Sequence, residues 1–160
     1  MKTRLRLGIV IWLSVLIMGV VAGQEKADQP KNVELTNAAW DVYKGGNFAK
    51  AITAADRCID RFKIQADGDQ LQLKKTHVPL PPTGKVTDEQ KKVIYAQGVL
   101  NDVATCFWIK GMSAQKLHRN DEAKEAFKAA STYTYARTWD PKGWFWSPAE
   151  DATDRLQDLK

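Results

Sequence analysis

The sequence predicts an all-α domain of antiparallel helical hairpins, about five helices with a proline-rich connector, and three observations carry that prediction. Apolar residues recur at three- and four-residue spacing through several long stretches. Breaks as short as Gly45-Gly46-Asn47 and His118-Arg119-Asn120 leave room only for antiparallel neighbours. No run alternates apolar and polar residues long enough to make a convincing strand.

A segment of different character precedes the domain. Lys2, Arg4 and Arg6 form a basic head, residues 7–23 carry no charge, and Val21-Ala22-Gly23 ends the run in small residues. That order is the secretory signal pattern, with cleavage expected near Gly23/Gln24. The competing expectation is an uncleaved anchor, because the apolar run sits at the lower limit for crossing a bilayer. Either way the chain is expected to be exported, periplasmic or secreted, with membrane contact only through this segment. The resulting division is a signal at 1–23, a polar tether at 24–32 and a helical domain at 33–160 with its connector at 64–86.

Losing the signal removes three basic residues and no acidic one, which lowers the formal net charge from +5 to +2. So small a surplus, with no basic stripe, is no footprint for nucleic acid. None is expected as a partner.

The first helix is expected from about Val33 to Lys44, on Leu35, Ala38, Ala39 and Val42. The glycine pair ends it, since glycine readily takes the left-handed conformation of a helix terminus. A second helix follows from about Phe48 to Lys63, its stripe running Phe48, Ala51, Ile52, Ala55, Cys58, Ile59 and Phe62. Asp67-Gly68-Asp69 reads as a turn, and Pro79, Pro81 and Pro82 exclude a regular helix around them. Leu71-Gln72-Leu73 and the residues before His77 are candidates for a small ribbon. Thr87-Asp88-Glu89-Gln90 fits a capping box and opens a long third helix to about Lys116 or Leu117. A fourth covers about Asp121 to Tyr133. Ser147-Pro148-Ala149-Glu150 starts the last, which ends near Leu159.

Cys58 and Cys106 have no metal-ligand spacing and no Cys-x-x-Cys arrangement. In an oxidising compartment they are candidates for a disulfide, worth about 4 kcal/mol in the chain-entropy model. The alternative is a pair of buried free thiols filling small packing positions.

The two hairpins resemble tetratricopeptide repeats, a 34-residue helix–turn–helix with bulky and small residues at fixed points. In the second hairpin Phe107 stands at the first aromatic position and Gly111 where the helices approach closely. Ala123, Phe127 and Ala130 take the later small, aromatic and small positions. Lys110, Asn120 and Tyr135 depart from the pattern. In the first hairpin Ala39, Gly46, Phe48, Ala51 and Cys58 match, while Ala55 and Lys63 depart. The matching pairs cover about half the domain and stand out of a 34-residue register, so the connector and the last helix must complete the core.

The resemblance implies a protein or peptide partner held in the groove lined by the first helix of each pair. Carried over by position, that groove takes Thr36, Trp40, Tyr43 and Lys44 from the first hairpin and Trp108, Met112, Gln115 and Lys116 from the second. Aromatic and Met side chains beside lysines suit an extended peptide with apolar anchors and an acidic group. The plainer expectation is that Trp40, Trp108 and Met112 are core.

Trp139, Trp144, Phe145 and Trp146, broken by Pro141 and Gly143, make an alternative aromatic surface suited to glycan or cell-wall material. They equally suit a loop that seals the end of the bundle. A self-associating assembly subunit is a third reading. Nothing points to an enzyme, a cofactor or a metal. His77 and His118 lack a spaced partner, and Gly111-Met112-Ser113-Ala114-Gln115 lies mid-helix, where no nucleophile elbow forms. Asp56, Asp60, Asp67 and Asp69 read as a solvated face.

Overall fold

The computed structural model describes residues 31–159. The signal, nearly all of the tether and Lys160 lie outside the described residues. The fold is all-α, with α1 (Lys31–Lys44), α2 (Phe48–Lys75), α3 (Asp88–Ala96), α4 (Gly98–Lys116), α5 (Asn120–Ser131) and α6 (Pro148–Asp158). Between α5 and α6 sits one antiparallel hairpin of β1 (Thr138–Asp140) and β2 (Trp144–Trp146).

The centre of the molecule is α4. Its sequence is apolar nearly all round, which marks a helix with neighbours on every side. Leu100, Val103, Ala104, Cys106, Ile109 and Ala114 are fully buried, enclosed chiefly by α1, α2 and α5. The small residues let the backbones close up. Ala39, Ala51, Ala55, Cys58, Ala123 and Ala130 have no exposed surface. α6 packs on α5 and reaches the edge of α4.

Four expectations need correction. First, α2 does not stop at Lys63 but runs twelve residues further, straight through Asp67-Gly68-Asp69, to Lys75. Tertiary contacts outweigh the turn signal: Ala66 is buried, Tyr133 Oη donates to Asp67 at 2.6 Å, and Gln70 Nε2 donates to Thr134 Oγ1 at 2.9 Å. Gly68 costs only about 1 kcal/mol in a helix interior. The connector therefore begins near Thr76, and the ribbon proposed for residues 71–77 is absent from it.

Second, the long third helix is two. Gln97 closes α3 with a bond to Ile94 O, and α4 restarts at Gly98. Asn101, on the new helix, donates its side-chain amide to that same Ile94 carbonyl at 2.7 Å and so satisfies the break. The capping box itself is present, with Thr87 and Gln90 exchanging both bonds.

Third, the tryptophan-rich loop is a β-hairpin, turned at Gly143 with φ of 101°. Its three-residue strands are too short for alternation to show in sequence. Fourth, Lys31 and Asn32 belong to α1 and not to the tether.

The proline connector is tied down along its length. Tyr135 Oη donates to Val78 O at 2.8 Å, Arg137 Nε to Pro81 O at 2.8 Å, and Gly84 exchanges two backbone bonds with Phe145. The connector thus fixes the hairpin over one end of the helices.

Candidate binding clefts on the tryptophan face

The two aromatic surfaces read separately from the sequence meet in one place. Along the face shared by α1 and α4, the Trp40 and Trp108 rings lie 5.6 Å apart, and Tyr43 meets Trp108 edge-on at 6.1 Å. The hairpin then lays Trp146 against Trp108, centroid to centroid 5.0 Å, in a T-shaped contact. Trp108 is the hub. Its Nε1–H donates to Asp151 of α6, and Arg155 of α6 sits over its ring at 5.6 Å.

This row divides the surface into two clefts. The first, about 690 Å³, lies between α1, the start of α4 and the hairpin, with Thr36, Trp40, Asp102, Trp139 and Phe145 among its walls. The second, about 630 Å³, lies between Trp40, Gly84, the hairpin and the start of α6.

The expected groove residues are not all together. Trp40 and Lys44 are on the clefts, with the Lys44 ammonium 5.5 Å from the Trp40 ring centroid. Thr36 is buried beneath them, and Tyr43 turns to Phe48 and Trp108. Met112, itself buried in the core, lines a separate depression with Gln115, Lys116, His118 and Arg155, which reaches from there over Trp108. Burial divides the C-terminal rings too. Phe145 is buried against Tyr95 and Trp139, and Trp146 packs on Trp108, as a sealing loop requires, whereas Trp139 and Trp144 keep 39% and 38% of their surface in solvent.

Beneath the first cleft lies a polar knot. Thr36 Oγ1 is 3.5 Å from both Cys58 Sγ and Cys106 Sγ, so the thiols are neighbours, and here they are free. Hydrogen bonding with Cys58, and then burial, hold the Cys106 thiol well above the usual cysteine range. The same hydrogen bond draws the Cys58 thiol below that range.

Asp102 borders this knot and was missed from the sequence, although an Asn-Asp pair interrupting an apolar helix was the available signal. It accepts a bond from Asn32 Nδ2 at 2.6 Å and faces no cation at salt-bridge distance among the described residues. Burial pushes its pKa to about 6, against the opposing bonds from Asn32 and Thr36.

A carboxyl that holds its proton more tightly folded than unfolded opposes folding once ionised. The penalty is absent below the unfolded value and grows as pH rises toward about 6. Because the carboxylate opens on a wet cleft, its cost at neutral pH is about 1–2 kcal/mol. Asp102→Asn is therefore expected to raise stability at neutral pH by that amount and to flatten the loss of stability between about pH 4 and pH 6. Thermal melts of both proteins across that range check it.

Asn101 is the second overlooked residue. Its side chain bonds Ile94 O on one side and Arg137 N, at 2.8 Å, on the other, which positions the hairpin relative to the helices. Arg137 is buried and spends its guanidinium on the carbonyls of Pro81, Thr134 and Ala136. Among the described residues there is no cluster of His, Cys, Asp and Glu able to hold a metal, and no helix long and apolar enough to cross a membrane.

No protein-family model matches the chain, and no solved structure matches it. The chain is similar to the tRNA (guanine-N(7)-)-methyltransferase non-catalytic subunit trm82 of two strains of Aspergillus fumigatus. Each is 29% identical over 118 residues, a stretch that covers 68% of this chain and 22% of the relative. The chain thus spans about a fifth of the length of these relatives.

Proposed function

We propose that the chain is an exported, non-enzymatic scaffold of tetratricopeptide-like build that holds a protein or peptide partner against its tryptophan face. The observation that carries this reading is the Trp40–Trp108–Trp146 row, flanked on both sides by a cleft. Contacts between rings on α1, α4 and the hairpin make a rigid, amphipathic surface, the kind that supplies interface anchors at little entropic cost. The order of packing supports it: the α1–α2 and α4–α5 hairpins stack in sequence, and α6 lies next in line against α5. The similar Aspergillus fumigatus proteins are named non-catalytic subunits, which accords with a chain that acts through a partner and not through chemistry of its own.

The test is cross-linked affinity capture from the native host, wild type against Trp40→Ala. Trp40 is only half-buried, at the boundary of both clefts, so its loss leaves the core in place. A partner recovered with wild type and lost with a folded Trp40→Ala protein is the expected result. Equal recovery would sink the groove reading.

A second reading has one specific observation in its favour, the exposure of Trp139 and Trp144. Rings presented this way suit the faces of sugars. Retention on cell-wall polysaccharide that Trp144→Ala abolishes and Trp40→Ala does not would select this reading over the first.

A further inference from the structure

The second cleft has a chemical bias that the first lacks. Its aromatic wall is Trp40, Trp108, Trp144 and Trp146, and every charged residue along it is acidic: Asp140, Glu150, Asp151 and Asp154, with no Lys or Arg. Asp151 is already engaged, accepting from Trp108 Nε1 and pairing with Arg155. The other three carboxylates have no ion-pair partner among the described residues. Glu150 has a structural reason to be acidic, since it lies in the first turn of α6, where the helix dipole favours negative charge. Asp140 accepts the Lys142 backbone N–H at 2.8 Å in the hairpin turn, which leaves its second carboxylate oxygen open. Asp154, a turn further along α6, has no such reason.

The indoles show the same bias. The protein's own cations occupy three of them: Lys44 lies over Trp40, Lys91 over Trp139 at 5.3 Å, and Arg155 over Trp108. Trp144 and Trp146 carry none among the described residues, and both line the cleft that holds the unpaired carboxylates. Indoles without a cation of the protein's own, beside carboxylates without an ion pair, are matched by a cation on an apolar stem. The ring quadrupole attracts the charge, and the hydrocarbon covers the indole. An acidic segment would meet three carboxylates of its own sign, of which only Glu150 has a guanidinium, that of Arg137, in electrostatic reach.

We propose that this cleft receives a lysine or arginine side chain of the partner, its stem against Trp144 and Trp146 and its charge facing Asp140, Glu150 and Asp154. This deepens the groove reading and rests on it. It also replaces the acidic peptide suggested by the lysines of the sequence-derived groove, because Lys44 is committed to Trp40 and Lys116 lies in another depression.

The test is an NMR titration of the full chain, following the indole N–H signals of the tryptophans. Three blocked tripeptides serve as probes, identical except for a central lysine, norleucine or glutamate. The lysine peptide is expected to shift the Trp144 and Trp146 signals, with norleucine and glutamate leaving them in place. Glu150→Gln/Asp154→Asn is expected to weaken the lysine peptide about tenfold, and added salt to weaken it further. Asp154→Asn alone, at an exposed position, gives a smaller loss and guards against a folding defect in the pair. Equal shifts from norleucine, no shift from any peptide, or unchanged lysine binding in both variants would each overturn the proposal. If those results came with a partner still captured through Trp40, the cationic side chain alone would be wrong. Loss of Trp40 dependence would remove the groove itself.

Discussion

Gly111→Ala is expected to destabilise the protein by about 2 kcal/mol, and Gly111→Val by about 3 kcal/mol, the range for overpacking a closed core. A Cβ at this position would stand 2.6 Å from two ring carbons of Phe127 and 3.0 Å from a third. Phe127 is a fully buried side chain, so the ring has nowhere to retreat. Alanine recovers up to about 1 kcal/mol of helix propensity, and valine recovers less because it is stiff at χ1. Urea unfolding at constant m-value measures both. Phe127→Leu should restore part of the loss in the Gly111→Ala background while destabilising the wild type. That non-additivity would place the two residues in one contact. Independent, additive effects would mean that the α4–α5 approach is looser than the geometry implies.

The same pair shows what the sequence can disclose. Gly111 and Phe127 are legible because close approach demands a missing side chain opposite a large one, and the spacing of the small residues around them repeats that demand. Helix ends with a local mechanism are legible for a similar reason: Thr87 with Gln90, and Ser147 with Pro148, satisfy their own backbone amides. Asp67-Gly68-Asp69 misleads because its turn signal is local while the contacts that overrule it come from Tyr133 and Thr134, more than sixty residues away. The break at Gln97 hides behind an apolar stripe that continues across it.

The site is less legible than the fold. Trp40 and Trp108 come together because α1 and α4, the first helices of their hairpins, pack side by side. Nothing local to residues 139–146 says that Trp146 folds back onto Trp108, since that placement depends on Gly84 pairing with Phe145 and on Asn101 holding Arg137 N. The acidic lip of the second cleft is assembled from the hairpin and α6, and no stretch of sequence contains it.

Trp108→Ala is expected to cost about 3–5 kcal/mol, enough to unfold much of a domain of ordinary stability. Trp108 is 9% exposed and touches Trp40, Tyr43 and Trp146, so its removal opens a cavity where α1, α4 and the hairpin meet. It also leaves the Asp151 carboxylate without the indole donor, although Arg155 remains to pair with it. Trp108→Phe keeps a ring in the cluster and forfeits the Nε1–H bond and part of the area, a loss of about 1–2 kcal/mol. Chemical denaturation of the two variants separates cavity from hydrogen bond. The distinction governs how binding data are read. A partner lost from Trp108→Ala would report unfolding, whereas Trp40 borders the clefts and can be cut without hollowing the core. Should Trp108→Ala instead cost under about 1 kcal/mol, the indole is not the hub of the packing, and Trp108 becomes a contact residue on the same footing as Trp40.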